Sequence, residues 1–156
     1  MMLQIGYFSA SVGAQDANAI HKILLGARKA NKRDSITGLL VAGGGRYLQV
    51  IEGPQAAVEA LYSNIRADLR HRAIATFMNR KITERSFGSW SMAFRWQAAF
   101  GEPNSFGHVL GAMTAVIADD GLRNQIRYFA RATMGLTQPD RVVRQSPARS
   151  IHTAKR

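Results

Sequence analysis

One phenol and two carboxamides are the first groups in this sequence whose types and positions could do chemistry. Tyr7 lies in LQIGYFS (3–9), Asn31 near the end of a helical pattern, and Gln49 in RYLQVIEG (46–53). A tyrosine hydroxyl is oxidisable and can donate a proton, and with an unperturbed pKa of about 10 it stays protonated at neutral pH. A carboxamide carries an acceptor and donors on one planar group, so rotation or tautomerisation exchanges what it presents. All three fall where the surrounding pattern assigns a buried face. A buried polar group without a partner costs about 1–3 kcal/mol, so these must find one. They can satisfy one another and the backbone, or converge on a cavity for a ligand rich in donors and acceptors.

The elements that would position them follow from periodicity. Residues 2–9 read as a strand, with Leu3, Ile5, Tyr7 and Ser9 on one side and Gln4, Gly6 and Phe8 on the other. Asp16 is placed to cap a helix in which Ile20, Ile23, Leu24 and Ala27 form the apolar stripe. Asn31, three turns beyond Ile20, shares that stripe. ITGLLVA (36–42) is apolar on both parities, as in a strand covered on both faces. Gly43-Gly44-Gly45 supplies a tight turn into the strand 46–53, where Tyr47, Gln49 and Ile51 face one way and Leu48 and Val50 the other. Pro54 can open a second helix, patterned by Val58, Leu61, Tyr62, Ile65 and Leu69. A fourth strand is expected over 73–83. A fifth is expected over 89–96, with Trp90, Met92, Phe94 and Trp96 on one parity.

This βαββαββ order predicts an α+β, ferredoxin-like domain with a five-stranded mixed sheet and two helices on one face. The other face, bearing Phe8, Leu48 and Val50, needs cover. Two amphipathic segments can give it: Phe106, Val109, Leu110, Met113, Val116 and Ile117, then Leu122, Ile126, Phe129 and Met134, separated by Asp119-Asp120-Gly121. They would pack on the sheet or serve a dimer contact. The expected organisation is therefore a domain over 1–97, a helical extension over 98–137, and a basic, flexible tail over 138–156.

Within residues 3–96 the sequence resembles the BLUF family of flavin-based blue-light sensors. The motifs are Tyr7-Phe8-Ser9, Asn31 with Ile36-Thr37-Gly38-Leu39-Leu40, Leu48-Gln49-Val50-Ile51-Glu52-Gly53, Asp68-Leu69-Arg70-His71, and Phe87 with Trp90-Ser91-Met92. They occur in the family's order. The resemblance implies a flavin, FAD with FMN or riboflavin as alternatives, held between the two helices. Asn31 and Gln49 would read the polar edge of its ring, and Ile23 and Ile65 would sandwich it. Asp68, Arg70 and His71 would contact the ring or the ribityl-phosphate end. Tyr7 would donate an electron and a proton on excitation, and Gln49 would then rearrange its amide to give a red-shifted signalling state. Trp90 and Met92 would relay that change through the last strand and the C-terminal helices. Two departures stand out: Ala30, where relatives often carry a polar side chain, and Asn64, where a longer basic or ring-bearing residue can occur.

Composition constrains the rest. The 156 residues are 46% hydrophobic and 20% charged, as in one ordinary globular domain. No run of apolar residues is long enough to span a membrane, and MMLQIGYFSASVGA lacks the basic start of a signal peptide, so a cytoplasmic protein is expected. With no cysteine there is no disulfide or thiolate chemistry, and His21, His108 and His152 fit no metal spacing. The net charge of +11 raises nucleic acid as a partner. The excess is spread, with 13 Lys/Arg against 6 Asp/Glu in 1–96 and 8 against 4 in 97–156, which reads as a solvated surface. The alternative is a ferredoxin-like nucleic-acid-binding module, but sheet-based readers need exposed strand aromatics, and here helices should cover them. A small ferredoxin-like enzyme such as an acylphosphatase lacks its glycine-rich anion loop, since Gly43-Gly44-Gly45 reads as a turn. The expected protein is a non-enzymatic sensor, a homo-oligomer, signalling to a partner protein in trans.

Overall fold

The computed structural model describes residues 1–96 and 103–133. Its elements are β1 (Met2–Ser11), α1 (Ala17–Arg33), β2 (Thr37–Gly43), β3 (Arg46–Pro54), α2 (Gln55–Ala67), β4 (His71–Ile82), β5 (Ala93–Trp96), α3 (Pro103–Thr114) and α4 (Asp120–Thr133). The strands form one mixed sheet in the order β4-β1-β3-β2-β5, antiparallel except for the β2–β5 pair. This is the expected ferredoxin-like α+β arrangement. The expected boundary at residue 97, Met134 and the basic tail from 138 onward lie outside the described residues.

Local chemistry sets the ends of these elements. Asp16 caps α1, its Oδ1 accepting from the Ala19 N–H at 2.8 Å. Gly44 and Gly45, with φ of +55° and +72°, make the two-residue connection between β2 and β3, a geometry that suits glycine and matches the twist of a hairpin. Gly38 is required for another reason: a Cβ there would lie 2.2 Å from the Val50 carbonyl oxygen on the paired strand.

Alternation along the strands divides the interior into two clusters. Leu3, Ile5, Leu40 and Ile51 pack under Ile20 and Leu24 of α1 and Val58 of α2. Leu39, Val41, Leu48 and Val50 face the other way, onto Phe106, Leu110, Ile117, Leu122, Ile126 and Phe129. The C-terminal helices thus cover the second face, as the sequence required. Phe8 stacks on Phe77 and Phe129, at centroid distances of 4.6 and 5.9 Å. Phe8 and Phe77, the aromatics of that sheet face, are thus packed under α4 and are not displayed for a nucleic acid.

Several details differ from the periodic reading. The fifth strand is only Ala93–Trp96; residues 89–92 are irregular. Trp90 and Met92 therefore do not share a face: Trp90 packs against the α3–α4 cluster, and buried Met92 belongs to the α1–α2 cluster. Leu69 is not on the second helix, which ends at Ala67, and it is 89% exposed. Val116 follows the end of α3 and is also exposed. Asp119 lies in the expected break between the two helices and accepts the Leu122 N–H at 2.6 Å, whereas Asp120 and Gly121 already belong to α4.

Candidate functional site

Antiparallel pairing of β1 with β3 sets Tyr7 directly opposite Gln49, and pairing of β2 with β3 sets Leu40 on the other side of Gln49. All three project toward α1 and α2, which do not close completely over them. The result is a cavity of about 370 Å³. Its floor includes Tyr7, Ser9, Leu40, Tyr47 and Gln49; α1 contributes Ile23, Ala27, Ala30 and Asn31; α2 contributes Leu61, Asn64 and Ile65. Asp68, Arg70 and His71 form one end and Met92 another. Every residue expected to line a ligand site is thus brought to a single cavity. Trp90 is not among them.

Within the cavity the hydrogen bonds are directional. The Tyr7 hydroxyl donates to Gln49 Oε1, and Gln49 Nε2 donates to Met92 Sδ at 3.6 Å. Tyr7 is 2% exposed, and burial, reinforced by Tyr62 and Asp68, pushes its hydroxyl well above the ordinary phenol range. It is a neutral donor at any physiological pH. Its ring lies 5.5 Å from Tyr62 and 6.4 Å from His71, centroid to centroid. His71 Nε2 sits 2.9 Å from the Ile65 carbonyl oxygen, which fixes the ring against the end of α2.

Asn31 is also buried. Its Nδ2 donates to the Ser91 carbonyl at 2.8 Å, so one half of the amide is committed to the protein. At the open end, Arg70 chelates Asp68, with Nη2 2.5 Å and Nε 2.9 Å from Oδ2. That hydrogen-bonded guanidinium holds the Asp68 carboxyl down at about 2. Ser9 Oγ is buried and has no hydrogen-bond partner among the described residues.

A second polar cluster, not anticipated from the sequence, sits on the opposite parity of the same strands. Glu52 is fully buried, and its carboxylate accepts four hydrogen bonds. The donors are Gln4 Nε2 (2.8 Å), Thr37 Oγ1 (3.1 Å), and the backbone N–H groups of Ser86 (3.0 Å) and Phe87 (2.8 Å). Gln4 Oε1 in turn accepts from Arg80 Nε and Nη2, and Arg80 Nη1 pairs with Asp119 at 2.6 Å. Glu52 therefore anchors the start of the segment that leads to Trp90 and Met92. Parity puts Glu52 on the face of Leu48 and Val50, and it lies within a motif noted for Gln49, but nothing local names the donors that satisfy it.

A family model described as sensors of blue-light using FAD matches residues 2–93. The chain belongs to the BLUF family. BLUF relatives include the photoactivated adenylate cyclase subunit alpha of Euglena gracilis, 41% identical over 59 residues, a match covering 38% of this chain and 6% of the cyclase. Among solved structures, the dark-state structure of BlrB, a BLUF protein, aligns with a TM-score of 0.61 at 30% identity, covering 82% of this chain and 96% of that one. The photo-activated state of BlsA aligns with a TM-score of 0.62 and 22% identity, a likeness of fold. The chain spans only a small part of the cyclase subunits it matches. The family uses FAD, and the cavity suits a flavin: its size is in the usual range for ligand pockets, Ile23, Ala27, Leu61 and Ile65 give it aliphatic walls on the helix side, and polar groups line its floor and end. The comparisons do not favour the nucleic-acid alternative.

Proposed function

We propose that this BLUF domain is a blue-light receptor whose photoactive unit is the Tyr7–Gln49 pair, and that its output is carried by contacts rather than by catalysis. The observation that supports this most is the Tyr7 hydroxyl donating to Gln49 Oε1 inside a cavity suited to a flavin. Ile23 and Ile65 would flank the ring, Asn31 and Gln49 would hold its polar edge, and Asp68, Arg70 and His71 would serve its side chain. Bound there, the isoalloxazine supplies blue-light absorption and, once excited, the oxidant that a phenol can meet.

The protein's own groups give the response a direction. Met92 Sδ is a weak acceptor and offers no donor, so in the resting arrangement Gln49 turns its NH2 to Met92 and its oxygen to Tyr7. A proton leaving Tyr7 Oη arrives at Gln49 Oε1. With the bound ring as the acceptor of Tyr7's electron, the carboxamide could hand that ring a proton from Nε2, which would leave the imidic tautomer, and could turn over to present NH2 where it had presented oxygen. Either change alters what Gln49 offers the ligand and loosens its hold on Met92. Residues 86–92 connect Met92 to Trp90 on the α3–α4 side, so the change can pass from one face of the sheet to the other and on to a partner protein.

Purified protein carrying FAD should absorb in the blue, shift slightly to the red under blue light, and return in darkness. Protein that binds no flavin on reconstitution, or binds it without a reversible light-induced shift, would overturn this reading.

A further inference from the structure

The segment 90–92 has no ladder of its own, yet each of its carbonyl oxygens takes a donor from elsewhere. Trp90 O accepts the Gly38 N–H at 2.9 Å, Ser91 O accepts Asn31 Nδ2 at 2.8 Å, and Met92 O accepts Arg28 Nε at 3.1 Å. Two of the three donors are side chains of α1, spaced three residues apart so that they emerge from the same helix face. The fixed points on either side are strong: the Glu52 carboxylate holds the N–H groups of Ser86 and Phe87, and β5 begins at Ala93. Between them, the Trp90 N–H also donates to the Phe87 carbonyl at 3.0 Å, but Arg28 and Asn31 are the side chains that hold the Ser91–Met92 backbone.

We infer that Arg28 is a positioning residue that, with Asn31, clamps the Ser91–Met92 backbone and so keeps Met92 Sδ on Gln49. This rests on the reading of Gln49 as the photoactive amide, and adds the element that sets its resting orientation. Arg28 is outside the cavity lining, so it acts on the site through the Met92 carbonyl and not through the ligand. Asn31 differs, since it lines the cavity and holds Ser91 at once. Its amide therefore ties occupation of the cavity to the placement of the segment, and Arg28 provides the half of the clamp that the ligand does not touch. A planar guanidinium suits this task, because Nε–H is directed by the fork and is always charged.

Oxidation of Met92 by dilute hydrogen peroxide, read by peptide mass spectrometry on the full-length chain kept in darkness, tests the clamp directly. Met92 is 3% exposed and should be protected in the unaltered protein. Arg28→Ala should raise its oxidation rate about fivefold to tenfold, the order expected for losing one charge-assisted hydrogen bond to a local opening. Met78 and Met113, which pack on the other face, should keep their rates and so report that the fold is intact. Arg28→Lys, which retains a cationic donor on a shorter reach, should restore most of the protection. Unchanged protection of Met92 in Arg28→Ala, or an equal rise at Met78 and Met113, would overturn the assignment. Chain that takes up no flavin would sink the sensor reading alone, because the oxidation comparison decides the clamp without light.

Discussion

The two faces of the same sheet are built differently. On the α3–α4 side, Leu48, Val50, Phe106, Leu110, Ile117 and Ile126 are all about fully buried and leave nothing for a ligand. On the α1–α2 side, Ile23, Leu61, Tyr62 and Ile65 are only half-buried, and a cavity opens between the helices above Tyr7 and Gln49. One residue of β3 separates the two regimes, since Leu48 and Gln49 point in opposite directions. Leu3, Ile5, Ile20, Leu24, Ile51 and Val58 still bury a core on that side, and only the part above Tyr7 and Gln49 is left incompletely packed, where a bound group would complete it. The polar cluster of Gln4, Glu52 and Arg80 lies on the α3–α4 side, at one end of the sheet, and reaches Asp119 at the start of α4.

This contrast can be broken by substitution, and the largest effect should come from the dry face. Leu48→Ala leaves a void among residues that cannot collapse onto it and should cost about 2–5 kcal/mol in urea unfolding. The light-induced shift of the folded protein should keep its size. A cost as small as that of an exposed substitution would show that the second face is not the stabilising one.

Glu52→Gln should be intermediate. A carboxylate accepts from all four of its donors, whereas an amide must turn its NH2 toward two of them. Leaving buried donors unpaired should cost about 1–3 kcal/mol by the same unfolding measurement. The anchor of residues 86–87 should loosen as well, visible as faster amide exchange of Ser86 and Phe87. Equal exchange in variant and parent would remove Glu52 from the role given to it.

The smallest effect belongs to the open end of the cavity. Asp68 titrates at about 2 in the folded protein against about 3.9 when unfolded, so it binds protons more tightly in the unfolded chain. Its contribution to stability is complete above pH ~4 and is lost as the pH falls toward ~2. Arg70→Ala should flatten that part of the stability–pH curve, and a curve of unchanged steepness would contradict the pairing. Because Arg70 is largely exposed, the difference should be modest and should shrink in salt.

Much of the cavity was legible in the sequence because alternation is a strict rule. Tyr7, Asn31 and Gln49 each sat on an apolar stripe, and strand parity for the first and third and helical spacing for Asn31 sent them inward. The second face was equally readable, since Phe8, Leu48 and Val50 demanded cover and the C-terminal stripes could give it. Alternation failed where the backbone stopped obeying it. Gly88, at φ +54°, and the serines around it turn the chain, so Trp90 and Met92 part to opposite faces despite their spacing. Periodicity likewise carried Leu69 past a helix that ends before it. The Glu52 network was not readable, because the donors to its carboxylate come from three separate places along the chain, Gln4, Thr37 and Ser86–Phe87, and leave no local pattern.

The central claim is that a phenol and a carboxamide in contact convert absorbed light into a changed hydrogen-bond arrangement. Its most direct test is the light-minus-dark absorption spectrum of FAD-loaded Tyr7→Phe, in which the ring is kept and only the hydroxyl is removed. The expected result is normal flavin binding with no reversible red shift under blue light. A red shift of the unaltered size and lifetime would contradict the account.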